Sequence, residues 1–333
     1  MKTRSIMIQT LCVPCGNRCR YCLLSWNGHT VGADYDRSRR YAERLIGWLR
    51  SSRPDLTVHF SFGYSMEHPR LLEAVDFMRS VGSVGSEYLQ FDGMAFRTDG
   101  ELETLIAGLR EHGVKHINFT FYGTEAYHDA FAGRKGDFDL LCRTARICHA
   151  AGVRISAGVP LIRENAAQAG DLLRQLTDEG LEEIRFFVPH GEGRGTVLEP
   201  VRLRERDVRT LPPEVAARFN RDAFRTEAKW MRPGAFRPAD NRTLLLSLTP
   251  ENIGDLETQD PADTIAALEA LDEAYYQTVP TIEALSDRYG DPQGECLYSQ
   301  RDLYQKWQKQ FLFETGLHPY DVTDERQSGS RRF

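Results

Sequence analysis

The pattern of apolar and polar positions changes period along the first two thirds of the chain. Short apolar runs typical of buried strands alternate with longer segments that have the period of about 3.6 residues expected of amphipathic helices. The predicted strands span residues 5–13, 57–63, 88–91, 116–122, 154–160 and 184–189. The predicted helices between them span residues 38–49, 69–81, 101–112, 138–151 and 166–179.

Six strands separated by helices predict a parallel sheet with right-handed crossovers. Six such units are too few to close an eight-stranded barrel, so we predict an α/β fold, an open partial (β/α)6 barrel of the TIM type with an α-rich C-terminal extension. The predicted domains are the barrel over 1–200, an Arg-rich connecting segment over 201–242 and the extension over 243–333. In such sheets the chemistry lies at the carboxyl ends of the strands.

Charge and hydropathy argue against some classes of function. The chain has 333 residues, 27% of them charged, and a formal net charge of −6. This acidic balance argues against nucleic acid as a partner, and no apolar run approaches the ~20 residues that would cross a membrane. The cysteines number seven, and no secretory signal is visible. We therefore expect a cytoplasmic protein with free thiols instead of disulfides.

A cluster of cysteines follows the first predicted strand. Cys15, Cys19 and Cys22 have the spacing C-x3-C-x2-C. Three thiolates on a short loop can ligate three irons of a cubane cluster and leave a fourth iron open to another ligand. A structural zinc site that also uses Cys12 is the alternative, although zinc sites more often pair two C-x2-C turns across a long spacer.

This spacing, with Tyr21 before the last cysteine, resembles the signature of the radical S-adenosylmethionine (radical SAM) enzymes. The resemblance implies one [4Fe-4S] cluster held by the three cysteines and S-adenosylmethionine bound at the open iron. It also implies a cofactor contact by Tyr21. Further motifs follow the later strands in the order found in that superfamily, over about residues 5–195.

The segment after the second strand contains Ser65, Met66 and Glu67, followed by His68 and Pro69. It resembles the Gly-Gly-Glu-Pro turn of the superfamily, in which backbone carbonyls and the Glu accept the ammonium of the methionyl group. The resemblance therefore implies that residues 65–67 bind the cofactor. An ordinary helix start, with Pro69 in the first turn, is the alternative.

The ends of the third and fourth strands carry Asp92 and Thr120, each near a glycine. They stand where superfamily members have Thr-Asn-Gly and Ser-Leu-Asp-Gly. In the peptide-modifying and molybdopterin-type subgroup, that Ser and an Arg about a dozen residues later hold the methionine carboxylate. The usual Arg position falls on Ala132, which leaves Arg134 as the candidate. Capping of a turn is the alternative function of Asp92 and Thr120.

The fifth and sixth strands resemble the superfamily strands that meet the ribose and adenine. The resemblance implies cofactor contacts by Ser156, which could reach a ribose hydroxyl, and by Pro189 at the sixth strand end. Ser156 could equally be a small residue of the barrel interior.

The last third of the chain resembles the start of the SPASM/twitch extension of related enzymes. A predicted strand over 243–249 and a predicted helix over 262–275 suggest a degenerate hairpin followed by helices. Auxiliary clusters in those enzymes need cysteines here, but Cys296 alone follows Cys148, so we predict one cluster. Cys296 is either a packed thiol or the donor of a hydrogen atom to a substrate radical, as in radical epimerases.

The resemblance implies an enzyme that reductively cleaves S-adenosylmethionine to a 5′-deoxyadenosyl radical, which abstracts a hydrogen atom from a substrate. Between 201 and 242 the chain has eleven basic and six acidic residues, which favours a small polar substrate, anionic ones included. A peptide substrate, epimerised or cross-linked, is the alternative, and a non-catalytic cluster or zinc scaffold is a third reading. The expected redox partner is a flavodoxin or ferredoxin.

Overall fold

The structure is a computed structural model of the chain. It describes residues 2–11, 15–22, 33–63, 67–83, 86–191, 193–237 and 241–317. Ser65, Met66 and Cys12 lie outside the described residues.

The described strands and helices follow the predicted rhythm through the first 187 residues. The strands are β1 Lys2–Leu11, β2 Thr57–Gly63, β3 Tyr88–Gln90, β4 His116–Thr120, β5 Arg154–Pro160, β6 Glu183–Phe187, β7 Arg225–Thr226, β8 Asn241–Leu248 and β9 Leu297–Tyr298. The helices are α1 Tyr35–Ser52, α2 Leu71–Ser80, α3 Asp99–Glu111, α4 Glu125–Ala132, α5 Asp137–Ala150, α6 Ala169–Asp178, α7 Glu205–Val208, α8 Pro213–Ala216, α9 Glu227–Trp230, α10 Ile253–Thr258, α11 Pro261–Thr278, α12 Ile282–Tyr289 and α13 Gln300–Thr315. Two 3₁₀ segments, Ala166–Gln168 and Gly193–Val201, complete the set.

The parallel strands of the described residues form two sheets, with the orders β2-β1-β8 and β3-β4-β5-β6. Every pairing within them is parallel. Neither sheet closes on itself, and the α/β class with an open parallel arrangement is therefore confirmed. The short helix α4 was missed in the sequence, because its eight residues are too few to establish a helical period.

Strand β8 has a different partner from the one expected. The sequence suggested a hairpin over this region, but β8 pairs in parallel with β1, from Lys2 opposite Asn241 to Thr10 opposite Leu248. Its run Leu244, Leu245, Leu246 is buried, as a strand of the main sheet requires. Strands β1 and β8 therefore lie side by side in one sheet, although the predicted boundary at residue 243 assigns them to different domains. The three-domain division stays a prediction.

The two faces of the sheet β3-β4-β5-β6 differ in polarity. On β4, Ile117 and Phe119 are fully buried among the helices, and each such side chain contributes roughly 1.5–3 kcal/mol of burial free energy. His116, Asn118 and Thr120 alternate with them and are only partly buried. Because alternate residues of a strand face opposite ways, the face turned from the helices is polar.

The C-terminal helices pack around a second hydrophobic cluster that includes Trp230, Tyr275 and Trp307. Glu227 is buried within it and is satisfied by Lys306 Nζ and by Trp307 Nε1, both at 2.8 Å. Within the described residues, no helix combines the length and the apolar character needed to span a bilayer.

Candidate functional site

The cysteine loop, residues 15–22, lies just beyond the carboxyl end of β1 and is fixed by its backbone. The Gly16 N–H donates to the Gly93 carbonyl at 2.6 Å, after β3. The Arg18 N–H donates to the Ala132 carbonyl at 2.7 Å, at the end of α4. Two elements distant in sequence therefore hold the loop at the strand ends.

The three thiols of the loop are free and half-buried. Burial raises the pKa of Cys15, and burial raises that of Cys19 to about 12; the carboxylate of Asp92 raises both further. The Cys19 Sγ also lies 3.2 Å from the Tyr122 hydroxyl. In the part of the chain that the structure describes, no three His, Cys, Asp or Glu side chains converge on one metal position.

The donor set of the loop fits an iron–sulfur cluster. The Asp92 carboxylate raises the pKa of the Cys15 and Cys19 thiols, and a cationic centre such as iron would offset that charge and stabilise their thiolates. Soft thiolate ligands match iron–sulfur chemistry. Cys15, Cys19 and Cys22 would hold the cluster.

Gly93 makes room for the first of these thiols. Its backbone has a φ of +65°, and a Cβ built there would lie 2.0 Å from the Cys15 Sγ. We expect Gly93→Ala to displace Cys15 and to lower the iron content after anaerobic reconstitution by more than half. Gly82→Ala is the matched control, because Gly82 has a φ of +67° and open space around the Cβ position. Equal iron contents in the two variants would contradict this expectation.

A buried polar network anchored on Asp137 supports the loop. The Asp137 carboxylate is fully buried and accepts hydrogen bonds from Asn17 Nδ2 at 3.0 Å and His128 Nε2 at 3.1 Å, with Arg134 at 3.2 Å. The His128 Nδ1 accepts from the Tyr122 N–H at 3.2 Å, so the ring carries a proton on Nε2. Asn17 belongs to the cysteine loop, so Asp137 connects that loop to α5 and to the end of β4.

The structure brings Asp92 and Thr120 together at the ends of β3 and β4. Asp92 accepts from the Thr120 N–H at 2.9 Å, from the Thr120 hydroxyl at 2.8 Å and from Gln90 Nε2 at 2.6 Å. Burial raises the pKa of Asp92 to about 6, although these donors oppose the rise. No Lys, Arg or His side chain of the described residues forms an ion pair with it.

Glu67 has a cationic partner instead. Its carboxylate forms a bidentate ion pair with Arg97, at 2.8 and 2.9 Å, and accepts from the Ala95 N–H at 2.8 Å. Arg97 gave no signal in the sequence, because the two residues are 30 positions apart. Binding of the cofactor ammonium by Glu67 stays a prediction.

Arg134 lies beside the cysteine loop, and its Nη1 donates to the Met94 carbonyl at 2.5 Å and to Asn17 Oδ1 at 3.3 Å. Its guanidinium stacks over the Phe96 ring, 4.0 Å from the centroid. These contacts fix the loop, and binding of a carboxylate by Arg134 stays a prediction.

Ser156 and Pro189 have partners within the protein. The Ser156 hydroxyl donates to Asn118 Oδ1 and contacts His116 Nε2, both at 2.7 Å. The Pro189 carbonyl accepts from Arg202, whose side chain is only 2% exposed. Their predicted contacts with ribose and adenine stay predictions.

Tyr21 and Cys296 lie in different clusters. Tyr21 belongs to the cysteine loop, and its buried ring packs edge-to-face with Tyr122 at 5.8 Å. Its predicted contact with the cofactor stays a prediction. Cys296 packs against the C-terminal cluster, and its backbone forms an isolated antiparallel β-bridge with that of Arg204. Its predicted function as a hydrogen-atom donor stays a prediction.

Sequence reasoning missed Asn17, His128 and Asp137 as functional supports. All three stand within strings that also contain the recognised motifs, but the contact that ties Asn17 to Asp137 joins residues 120 positions apart. The sequence did contain a signal of this network. His128 and Asp137 are polar residues beside apolar helix positions, and the structure buries both.

The Arg-rich segment is partly neutralised by acidic residues within it and just before it. Arg202 pairs with Glu199 at 2.6 Å, and Lys229 pairs with Glu205. Arg206 and Arg209 are exposed. A cationic mouth for an anionic substrate stays a prediction.

Comparison with known proteins finds similar sequences and similar structures. The AlbA protein of antilisterial bacteriocin subtilosin biosynthesis, from Bacillus subtilis (strain 168), is 21% identical over 198 residues, which are 57% of this chain and 41% of AlbA. The match thus spans less than half the length of that relative. Streptococcus suis SuiB bound to S-adenosylmethionine superposes with a TM-score of 0.38 at 11% identity, over 56% of this chain and 38% of SuiB.

Coproporphyrinogen III oxidase (HemN) from Escherichia coli, a radical SAM enzyme, superposes with a TM-score of 0.41 at 11% identity, over 74% of this chain and 64% of HemN. Superpositions at this level do not by themselves establish a common fold. The family model described as the Radical SAM superfamily matches residues 12–176, which include the three cysteines and the ends of β2 to β5. Residues 12–176 of this chain therefore form a radical SAM domain.

Proposed function

We propose that this enzyme cleaves S-adenosylmethionine reductively and abstracts a hydrogen atom from a substrate held in the open barrel. The cysteine loop carries the proposal, because one short loop beyond the end of β1, residues 15–22, contains three free thiols. The cofactors of the superfamily are S-adenosylmethionine and a [4Fe-4S] cluster. When bound and reduced by one electron, they supply a 5′-deoxyadenosyl radical.

The chain's own residues position the reactants and exclude water. Cys15, Cys19 and Cys22 would hold the cluster, and the buried ring of Tyr21 on the same loop packs against that of Tyr122. Such packing keeps solvent from a reactive centre. A flavodoxin or ferredoxin is the proposed electron donor, and the cytoplasm the proposed location.

A small polar substrate is the first candidate class. The inner face of β3, β4 and β5 carries Gln90, Asn118 and Ser156, which form one hydrogen-bonded row, with Asn118 Nδ2 donating to Gln90 Oε1 at 2.6 Å. Such a lining supplies polar contacts that would orient hydroxyl, amine or carboxylate groups.

A peptide substrate is the second candidate class. The name of AlbA, a protein of bacteriocin biosynthesis, favours it. In this case Cys296 is the proposed hydrogen-atom donor for an epimerisation, and unchanged turnover by Cys296→Ala would remove it from the mechanism. The scaffold reading without catalysis is the outcome if S-adenosylmethionine is never cleaved.

Formation of 5′-deoxyadenosine tests the proposed activity. We expect protein reconstituted anaerobically with iron and sulfide to bind about four irons, and to release 5′-deoxyadenosine when dithionite and S-adenosylmethionine are added. Pools of small polar metabolites and of peptides, added separately, distinguish the two substrate classes by which one accelerates the release. Zinc in place of iron, or an intact cofactor after reduction, would contradict the proposal.

A further inference from the structure

Two carboxylates at the strand ends, Glu67 and Asp92, differ in whether a cation already neutralises them. Both oxygens of Glu67 contact the Arg97 guanidinium, at 2.8 and 2.9 Å. A bidentate Arg–carboxylate pair is among the strongest charge-assisted contacts in proteins. An incoming ammonium would have to compete with that pair.

Asp92 has only neutral donors among the described residues. They are the Thr120 N–H, the Thr120 hydroxyl and the Gln90 amide. These bonds fix the orientation of the carboxylate without cancelling its charge. A partly buried carboxylate without a cation is costly, which favours a cationic group as its missing partner.

The donors to Asp92 belong to a directed row of hydrogen bonds. Ser156 donates to Asn118, Asn118 donates to Gln90, and Gln90 donates to Asp92. Because Gln90 is held at its own oxygen by Asn118, its NH2 group is turned toward Asp92. Asp92 is the terminal acceptor, and three strands fix its position.

Asp92 also lies close to the cysteine loop. The next residue, Gly93, accepts the Gly16 N–H at 2.6 Å, and a Cβ at Gly93 would lie 2.0 Å from the Cys15 Sγ. A cationic ligand on Asp92 would therefore sit beside the cluster ligands.

We infer that Asp92, and not Glu67, accepts the ammonium of S-adenosylmethionine in this chain. The inference rests on the proposed function. It assigns Glu67 to a positioning contact that joins the end of β2, through Arg97, to the segment between β3 and α3. Thr120 then acts on the cofactor through Asp92, since its hydroxyl donates to that carboxylate.

Ligand binding to the reconstituted, unreduced holoprotein tests the inference without turnover. We expect Asp92→Asn to raise the Kd of S-adenosylmethionine and of S-adenosylhomocysteine by about tenfold to a hundredfold, because a hydrogen bond to a charged group contributes about 1.5–3 kcal/mol. The Kd of 5′-methylthioadenosine, which lacks the amino acid portion, should not change. Removing a negative charge cannot weaken the binding of a carboxylate, so this pattern identifies the ammonium.

The controls are Asp139→Asn, on the exposed side of α5, and Glu67→Gln. We expect no change for Asp139→Asn and a smaller change for Glu67→Gln than for Asp92→Asn. A wild-type Kd in Asp92→Asn, or a larger effect of Glu67→Gln, would overturn the inference.

Iron content separates binding from folding. If Asp92→Asn loses its iron, Asp92→Ser is measured instead, and loss of iron in both variants would overturn the inference by assigning Asp92 to the cysteine loop. A wild-type holoprotein with about four irons that binds none of the three ligands would overturn the proposed function as well.

Discussion

Replacement of Cys15, Cys19 or Cys22 by alanine is expected to abolish 5′-deoxyadenosine formation. A cubane cluster with one open iron has no spare protein ligand, so each thiolate is indispensable. The loss should exceed about a hundredfold, since the remaining thiolates cannot substitute for the missing one. The three thiols lie on one short loop. The other described cysteines belong to distant parts of the sequence and are not expected to replace them.

The measurements are iron per chain and 5′-deoxyadenosine per hour. Cys142→Ala is the matched control, because Cys142 is buried on α5 and outside the loop. It should retain the iron and the activity, with a modest loss of stability from the removed sulfur. Retention of activity in any of the three loop variants would refute the assigned ligand set.

Asp137→Ala is expected to lower the free energy of unfolding by about 3–5 kcal/mol, because it leaves buried donors without an acceptor. The donors are Asn17, His128 and Arg134, and the carboxylate itself is fully buried. The variant should also bind less iron, since Asn17 fixes the cysteine loop through this contact. Urea unfolding of the iron-free protein measures the first effect.

Asp139→Ala is the control for this change. Asp139 lies on the same helix but is 61% exposed, and its pair with Arg143 is of the surface type. Such pairs contribute about 0–1 kcal/mol. A loss for Asp137→Ala no larger than that of Asp139→Ala would show that the buried network does not stabilise the fold.

Much of the fold could be predicted from the sequence, because local patterns of apolar and polar residues indicate where strands and helices form. Apolar runs located six strands, and the spacing of the cysteines located the loop. The partner of β8 could not be predicted. The apolar run Leu244–Leu246 indicates a buried strand, but it does not indicate which strand lies beside it. Parallel pairing of β8 with β1 joins residues that are more than 200 positions apart.

The candidate site shows the same limit. Motif order placed Asp92 and Thr120 at the ends of β3 and β4, where the structure has them. The ionic partner of Glu67 is 30 residues away in sequence. Thr120, which donates to Asp92 twice, is 28 residues from it and reaches it only because β3 and β4 align. Neither charge balance can be read from a motif, although each decides which carboxylate is available to a cation.

The central claim is that three cysteines hold a cluster with one iron open to S-adenosylmethionine. Mössbauer spectroscopy of protein reconstituted with ⁵⁷Fe tests it most directly, by comparing spectra before and after the cofactor is added. The account predicts that the signal of about one iron in four changes when S-adenosylmethionine binds. A spectrum in which no iron responds, or a protein that takes up zinc and no iron, would contradict it.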